Sequence, residues 1–496
     1  MTFDLLRENA LTYIKKSGEI MVFSSLLFVF LFLSFNLLSQ IVLKKTEYKN
    51  AAMLAFSILF YCWAGPVYFL LLLFDVFVCW GAARLIENAD KTDRKILLAF
   101  AVFAVLLVLG IFKYTGFVCG TLQSIFGFPS ETISIALPVG ISFYSFQLIS
   151  YVADVYRGQV AAQKKFWVLL LYACLFHQCI AGPIVRYSDV EKDILTRRVN
   201  RAEISRGISR FTVGLAKKAV LANSCAAVAD LFFDKTAGEL AKTPSLGLWL
   251  AGFAFMLQIY LDFSAYSDMA IGMGLMCGFH YRENFNYPYT ADSVTDFWRR
   301  WHISLSTFFR DYVYIPLGGN RKGTVRQIFN LFVVWGLTGL WHGASWNYVI
   351  WGLYFFVFLT IEKFILGKKL ESIPKAVRIL AVLVIVYFCW IIFKFEDFAS
   401  LGTVLKGLFG LNHNSFGGKA VSLAFKSNYR LLIFSAVACL PLGRKIRTAL
   451  CEKSHSSAPI AVVYGIWEAV HPAALLILSS MALAGDTYNP FLYFRF

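Results

Sequence analysis

Two histidines, His302 and His342, stand in the part of the chain richest in residues that could do chemistry. His302 lies in FWRRWHISLSTFFRDYVYIPLGGNRKG (297–323), a basic and aromatic stretch, and His342 lies in GLTGLWHGASWN (336–347), inside an apolar run. A neutral imidazole in an apolar site is a good base for removing a proton from a hydroxyl. Burial there favours the uncharged ring, the form that accepts a proton. The pattern points to acyl transfer at a membrane-buried site. Trp341 and Trp346 are expected to wall it, with Asn347 beside them.

The elements that must position these residues are membrane helices. The chain has 496 residues, 58% of them hydrophobic and only 16% charged, with mean hydropathy +0.63. A soluble domain carries about 25% charged residues. Apolar runs of about 20 residues, each long enough to cross a bilayer core of roughly 30 Å, recur along the chain. The fold class expected is an all-α polytopic membrane protein with roughly 10–12 transmembrane helices. The net charge of +17 sits in short loops, which fits cytoplasmic loops and anionic headgroups. No long soluble basic domain exists to bind nucleic acid.

Residues 1–20 are polar and of mixed charge, an N-terminal extension or interfacial helix, and 21–496 read as one transmembrane domain with its catalytic core at about 246–361. The run 21–43 reads as a first span and not a signal peptide, since it is long and ends on Lys44 and Lys45. Further spans are expected at 51–61, 66–85, 96–118, 137–156, 166–184, 246–279, 377–395, 431–442 and 462–484. Lys91 to Lys95 should form a cytoplasmic turn. The segment 186–218 is basic and amphipathic, suited to the membrane surface.

Residues 293–312 predict one amphipathic helix, with Trp298, Trp301, Leu305, Phe308 and Tyr312 on its apolar face. His302 sits at the edge of that face. The turn that follows carries Gly318, Gly319, Arg321 and Lys322, whose amides and charges suit the phosphates of an acyl carrier. The 33-residue run 329–361 is too long for one ordinary span, and GASWN offers a break. Gly336, Gly339 and Gly343 would let a neighbour approach closely. Asp262 and Tyr266, four residues apart, share a helix face in the segment 246–279. The carboxylates there should line a hydrated cavity or pair with the basic segment downstream.

Metal binding is not expected. Cys174 and His177 share a helix face but Cys179 does not, and the ten scattered cysteines contain no CxxC pair. His177 reads as a packing histidine. His413, His455 and His471 read as surface residues.

Several long stretches resemble the membrane-bound O-acyltransferase family, in particular its bacterial alginate-acetylating branch. They are MVFSSLLFVFLF from Met21, LPVGISFYSFQLISYVADVYRG, HQCIAGPIVR, YLDFSAYSDMAIGMGLMCGF, ENFNYPY, DFWRRWHISLSTFFRDYVYIPLGGNRKG, GLWHGASWN and the terminal NPFLYFRF. The resemblance implies tilted helices around a central tunnel or funnel, with His342 catalytic and His302 also implicated in activity; Trp341, Trp346, Asn347, Asp262 and Tyr266 are expected to line the substrate tunnel. It implies no permanently bound cofactor, cytosolic acetyl-CoA as donor, and a multi-pass protein of the bacterial cytoplasmic membrane. A secreted or membrane-anchored acetyltransferase partner and a polysaccharide acceptor are implied as well. One departure is HQCIAGP, where relatives more often place a proline before the histidine.

On this reading His342 is the general base, and His302 orients the acceptor or donates to the oxyanion. Direct transfer and an acyl-enzyme both remain open. The rivals are a D-alanyl transferase for teichoic acids, with a carrier-protein thioester as donor, and a polysaccharide exporter or flippase, which would need no histidine.

Overall fold

A computed structural model of the chain describes residues 21–127, 135–178, 182–485 and 491. The 1–20 extension, Cys179 and nearly all of NPFLYFRF lie outside the described residues. The described residues are overwhelmingly helical, as the apolar periodicity requires. Among the described residues, six helices are long and apolar enough to cross a membrane, or seven if one bent pair counts as a single span. That is fewer than the 10–12 expected. Several apolar runs are divided into short helices and irregular segments, so counting runs overestimates straight spans.

The first run does not begin as a helix at Met21. Met21 to Phe23 are buried and non-helical; a π-helical turn, Phe28–Phe32, leads into α1 (Leu33–Val42). Next come α2 (Thr46–Ala64), α3 (Pro66–Asn88) and α4 (Lys91–Phe126). Lys91 to Lys95 are the first turn of α4 and not a loop. Proline at the start of α3 is placed where its missing N–H costs nothing. α4 ends at Gly127, whose φ of 68° is the left-handed conformation that stops a helix.

α5 (Ile141–Tyr156) is buried on all sides, as its mixed small, hydroxyl and aromatic residues suggest. The 166–184 run holds only a short helix, α6 (Phe166–Cys174), before irregular backbone. The basic stretch 186–218 forms two helices, α7 (Tyr187–Thr196) and α8 (Arg201–Ala216), the second running through a π-helical segment, Lys217–Ala222, into α9 (Asn223–Phe233). A single turn, α10 (Ala237–Lys242), precedes the central α11 (Ser245–Met276).

α11 packs along α8, and the carboxylates on α11 pair there. Lys218 Nζ lies 2.6 Å from Asp262, with both side chains 3% exposed or less, and Asp268 is met by Lys217 at 2.7 Å and Arg210 at 2.9 Å. The expected ion pairing therefore exists but runs to the upstream basic segment, not the downstream one. Burying such a carboxylate without its cation would cost several kcal/mol, about 3–5 for a broken pair.

The site-bearing segments follow. α12 (Val294–Arg300) is capped by Ser293 Oγ, which accepts from the Asp296 N–H. α13 (Ile303–Phe309) continues through a π-helical turn, Arg310–Tyr314. The single amphipathic helix expected over 293–312 is thus broken at His302, whose φ is 44°. Its aromatic face is not at a lipid interface: Trp298, Trp301, Leu305 and Phe308 are all buried in protein.

α14 (Thr324–His342) and α15 (Trp346–Thr360) form a hairpin, and the break falls at 343–345, within GASWN as expected. Their backbones touch because two positions lack a side chain. A Cβ on Gly339 would lie 2.2 Å from the Tyr348 carbonyl oxygen, and one on Gly352 would lie 2.2 Å from that of Trp335. Gly336, in contrast, faces open space and admits no neighbour. The chain closes with α16 (Lys375–Lys394), α17 (Phe398–Leu408), α18 (Lys419–Ala438), α19 (Leu442–Ser454) and α20 (Ala458–Gly485).

His471 is not a surface residue. It is buried inside α20, with Nε2 2.9 Å from Ser209 Oγ on α8 and Nδ1 2.8 Å from the Trp467 carbonyl. His413 and His455 are exposed. The buried apolar side chains fall into two clusters, one built on α1–α8, α13 and the second half of α11, and one on α9, the first half of α11, α12 and α15–α18. Both histidines of the 297–351 stretch sit on the seam between them.

Candidate active site

His342 is the last residue of α14, and His302 is the break between α12 and α13. The Trp341 indole, part of the first cluster, connects them: its ring centroid is 5.7 Å from that of His302 and 4.9 Å from that of His342. The second cluster closes the other side. Trp351 and Phe393 lie 4.7 and 5.4 Å from His342, and Phe263 lies 4.7 Å from His302. Trp341 is held in turn by Phe143 and Phe146 of α5 at 5.5 and 5.7 Å.

Neither ring nitrogen of His342 has a hydrogen-bond partner among the described residues, and Nε2 of His302 has none either. Both side chains are buried. Leaving such a group unpaired costs about 1–3 kcal/mol, so its retention calls for an explanation. A hydroxyl-bearing or acyl-bearing ligand would supply one.

The end of α14 is fixed by two consecutive residues of α4. In α14 the terminal carbonyls have no intrahelical partner, and the bend at Gly343 brings no backbone N–H to them. Tyr114 donates its hydroxyl to the Leu340 carbonyl at 2.8 Å, and Lys113 Nζ donates to the Trp341 carbonyl at 2.5 Å and to Ser142 Oγ at 3.2 Å. Sequence reasoning missed this pair. The signal was available: Lys113 is the one charged residue between 96 and 126, and an ionisable side chain at membrane depth calls for a role. Asn284 was also missed, since nothing in its spacing connects it to His302, 18 residues on.

The remaining expected site residues are distributed as follows. Trp346 does not wall the histidines: it is 49% exposed, packs on Phe117 at 5.4 Å and donates to Thr121 Oγ1 at 3.3 Å on the outside of α4. As the first residue of α15 it points away from the hairpin, and Trp351 takes the place expected of it. Asn347 is buried, with Nδ2 3.5 Å from the Ile392 carbonyl, next to Phe393 on α16. Tyr266 stacks with Phe23 at 4.6 Å and meets Phe491 at 4.9 Å. Asp262 and Tyr266 thus belong to packing and ion pairing between α11, the segment after α8 and the chain termini.

Arg321 and Lys322 are exposed, in the turn at the far end of α14 from His342. A helix rise of about 1.5 Å per residue separates that turn from His342 by roughly 27 Å. His177 is buried, with Nδ1 3.2 Å from the Tyr281 hydroxyl, and Phe176 and Phe279 pack on its ring. No group of three or more possible metal ligands occurs among the described residues.

A multi-pass helical membrane protein with two histidines buried at the meeting of its two cores is the class that this fold and site define. The sequence comparisons specify it further. The model of the MBOAT, membrane-bound O-acyltransferase, family matches residues 165–403. A probable alginate O-acetylase of Pseudomonas putida is 37% identical, over 96% of this chain and all of that protein. A peptidoglycan O-acetyltransferase of Helicobacter pylori is 30% identical, over 96% of this chain and 98% of that protein. A teichoic acid D-alanyltransferase of Bacillus subtilis is 26% identical, over 66% of this chain and 90% of that protein. The chain belongs to the membrane-bound O-acyltransferase family and is an O-acyltransferase. An exporter without chemistry is thereby set aside.

Proposed function

We propose that this enzyme transfers an acetyl group from acetyl-CoA on the cytoplasmic side of a bacterial inner membrane toward hydroxyls of an exported or cell-surface polysaccharide of alginate type, through an acetyltransferase partner outside. Residues 21–496 act on this reading as one transmembrane unit, with the catalytic core at about 246–361. The observation that carries it is His342, buried at the hairpin bend with both ring nitrogens unpaired. The acetyl and polysaccharide parts rest on the 37% identity to a probable alginate O-acetylase.

A thioester is already activated, so the protein has to position it and take the acceptor's proton. The free nitrogen of neutral His342 accepts the hydroxyl proton as that oxygen bonds to the carbonyl carbon. The tetrahedral intermediate collapses with cleavage of the C–S bond. The leaving thiolate takes the proton back from the imidazolium, and the histidine returns to its neutral form. Trp341, Trp351 and Phe393 exclude water around that ring, which protects the thioester from hydrolysis. Arg321 and Lys322 are suited by charge to the phosphates of the donor, at the end of α14 away from His342.

The test is donor consumption in proteoliposomes. Purified protein, reconstituted with the outside acetyltransferase partner, should deacylate labelled acetyl-CoA in the presence of alginate oligosaccharides and leave a D-alanyl carrier-protein thioester intact. Consumption of the D-alanyl thioester alone would contradict the acetyl reading and favour the activity named for the Bacillus subtilis relative.

A further inference from the structure

The histidine that the mechanism leaves without a defined role has its proton placed by its neighbours. Asn284 Oδ1 accepts the Ser304 backbone N–H at 3.1 Å and the Ser304 hydroxyl at 2.9 Å. An oxygen that receives a backbone N–H cannot be the amide nitrogen, so the orientation of Asn284 is set. That same Oδ1 is 3.3 Å from His302 Nδ1. Ser304 Oγ is 3.4 Å from Nδ1 and itself accepts the Ile184 N–H at 3.0 Å.

Ser304 has a single hydroxyl proton, and its nearer acceptor is Asn284 Oδ1, at 2.9 against 3.4 Å. Nδ1 of His302 therefore faces two oxygens and no available donor. A lone pair on Nδ1 would oppose the lone pairs of Oδ1, whereas an N–H there is satisfied. The ring is fully buried, no carboxylate approaches it among the described residues, and it is therefore uncharged. One proton on Nδ1 leaves a lone pair on Nε2, the nitrogen that has no partner.

We infer that Asn284 is a positioning residue that fixes His302 in the Nδ1-protonated tautomer, so that its Nε2 serves the acyl transfer only as a hydrogen-bond acceptor. His302 then receives a hydroxyl of the acceptor and cannot donate to the oxyanion from Nε2. This decides between the two roles the sequence left open. It rests on the acyl-transfer reading of the site for its consequence, but the tautomer itself can be measured without any substrate. The broken backbone supports the assignment: Ile303 N–H donates to the Asn284 carbonyl at 2.9 Å, so the φ of 44° at His302 is held from the same residue that orients its ring.

The experiment is 15N NMR of histidine-labelled enzyme in bilayers, with the His302 signals assigned by difference against His302→Gln. A protonated, pyrrole-like Nδ1 and an unprotonated, pyridine-like Nε2 are expected; a protonated Nε2 would overturn the inference whatever the activity. In Asn284→Leu the tautomers should mix, with kcat for labelled acetyl-CoA and alginate oligosaccharides, measured with the outside acetyltransferase partner, falling on the order of 10- to 100-fold and donor KM holding within about two-fold. Ser304→Ala should keep the native tautomer and, if Asn284→Leu does not fold, serves in its place. Loss of the Nδ1 proton in Ser304→Ala would show that the serine, not Asn284, sets the ring. An expected tautomer in an enzyme inactive on acetyl-CoA would refute the proposed function and leave the proton placement standing.

Discussion

Trp341 is the residue on which the site turns, because its ring is shared by both histidines and by the aromatic face of α5. The two tryptophans that sequence reasoning paired as walls are therefore unequal. Trp346 lies on the outer side of α4, and Trp346→Ala should leave acetyl transfer within about two-fold of native, the scale of a surface change. A loss as large as that of a His342 substitution would return Trp346 to the site. At this scale the two histidines were legible in the sequence, since an imidazole within an apolar run is visible by type alone. The sequence did not identify Trp351, Phe393 or Asn284, which reach the histidines only through tertiary packing from α15, α16 and the segment after α11.

Among the elements, the α14–α15 hairpin is the device that brings His342 to the seam. Its bend was legible because 33 apolar residues exceed one span and because GASWN interrupts them. Its closeness was legible at Gly339 but not at Gly336, since periodicity does not say which face a neighbour occupies. The broken helix at His302 was not legible: the spacing of Trp298, Trp301, Leu305 and Phe308 suits a continuous helix, and local propensity yields to the hydrogen bonds of Asn284. The α4 clamp on the end of α14 gives a second prediction. Lys113→Met leaves the Trp341 carbonyl unpaired in an apolar setting and should destabilise the protein by about 1–3 kcal/mol. With the turn that carries His342 released, kcat per folded enzyme should also fall at least about 10-fold. An unchanged kcat alongside a lowered melting temperature would make the clamp a matter of stability alone.

Across the whole molecule, α11 contributes to both hydrophobic clusters, its carboxylates pair with Arg210 of α8 and with Lys217 and Lys218 after it, and the histidines sit on the seam between the clusters. Outside the spans, His280 adds a clamp between the segment after α11 and the helices α7 and α8. Its Nδ1 is 3.2 Å from Asp193 and its Nε2 3.2 Å from Glu203. Partial burial opposes the charged ring, but the hydrogen bonds to Glu203 and Asp193 outweigh it and raise the imidazole above its ordinary 6.5. The stabilisation is thus complete below about pH 6.5 and is lost as pH rises through the raised value. The melting temperature of the native protein should exceed that of His280→Gln near pH 6, with the difference closing by about pH 9. A difference independent of pH would contradict the charged clamp. The membrane class, the break within GASWN and the pairing of the α11 carboxylates were open to a reader of the sequence. The number of straight spans was not, because apolar composition is the same whether a run crosses the membrane or folds back within the protein.

The central claim is that His342 performs acyl transfer. The most direct measurement is the transfer of label from acetyl-CoA by native protein and by His342→Ala, reconstituted at equal folded amounts in proteoliposomes with the outside acetyltransferase partner and alginate oligosaccharides. Loss of a positioned general base typically removes about 10²–10⁴-fold in rate. The native protein should turn over and His342→Ala should fall by at least that lower bound, with its fold intact. Equal rates in both would contradict the account.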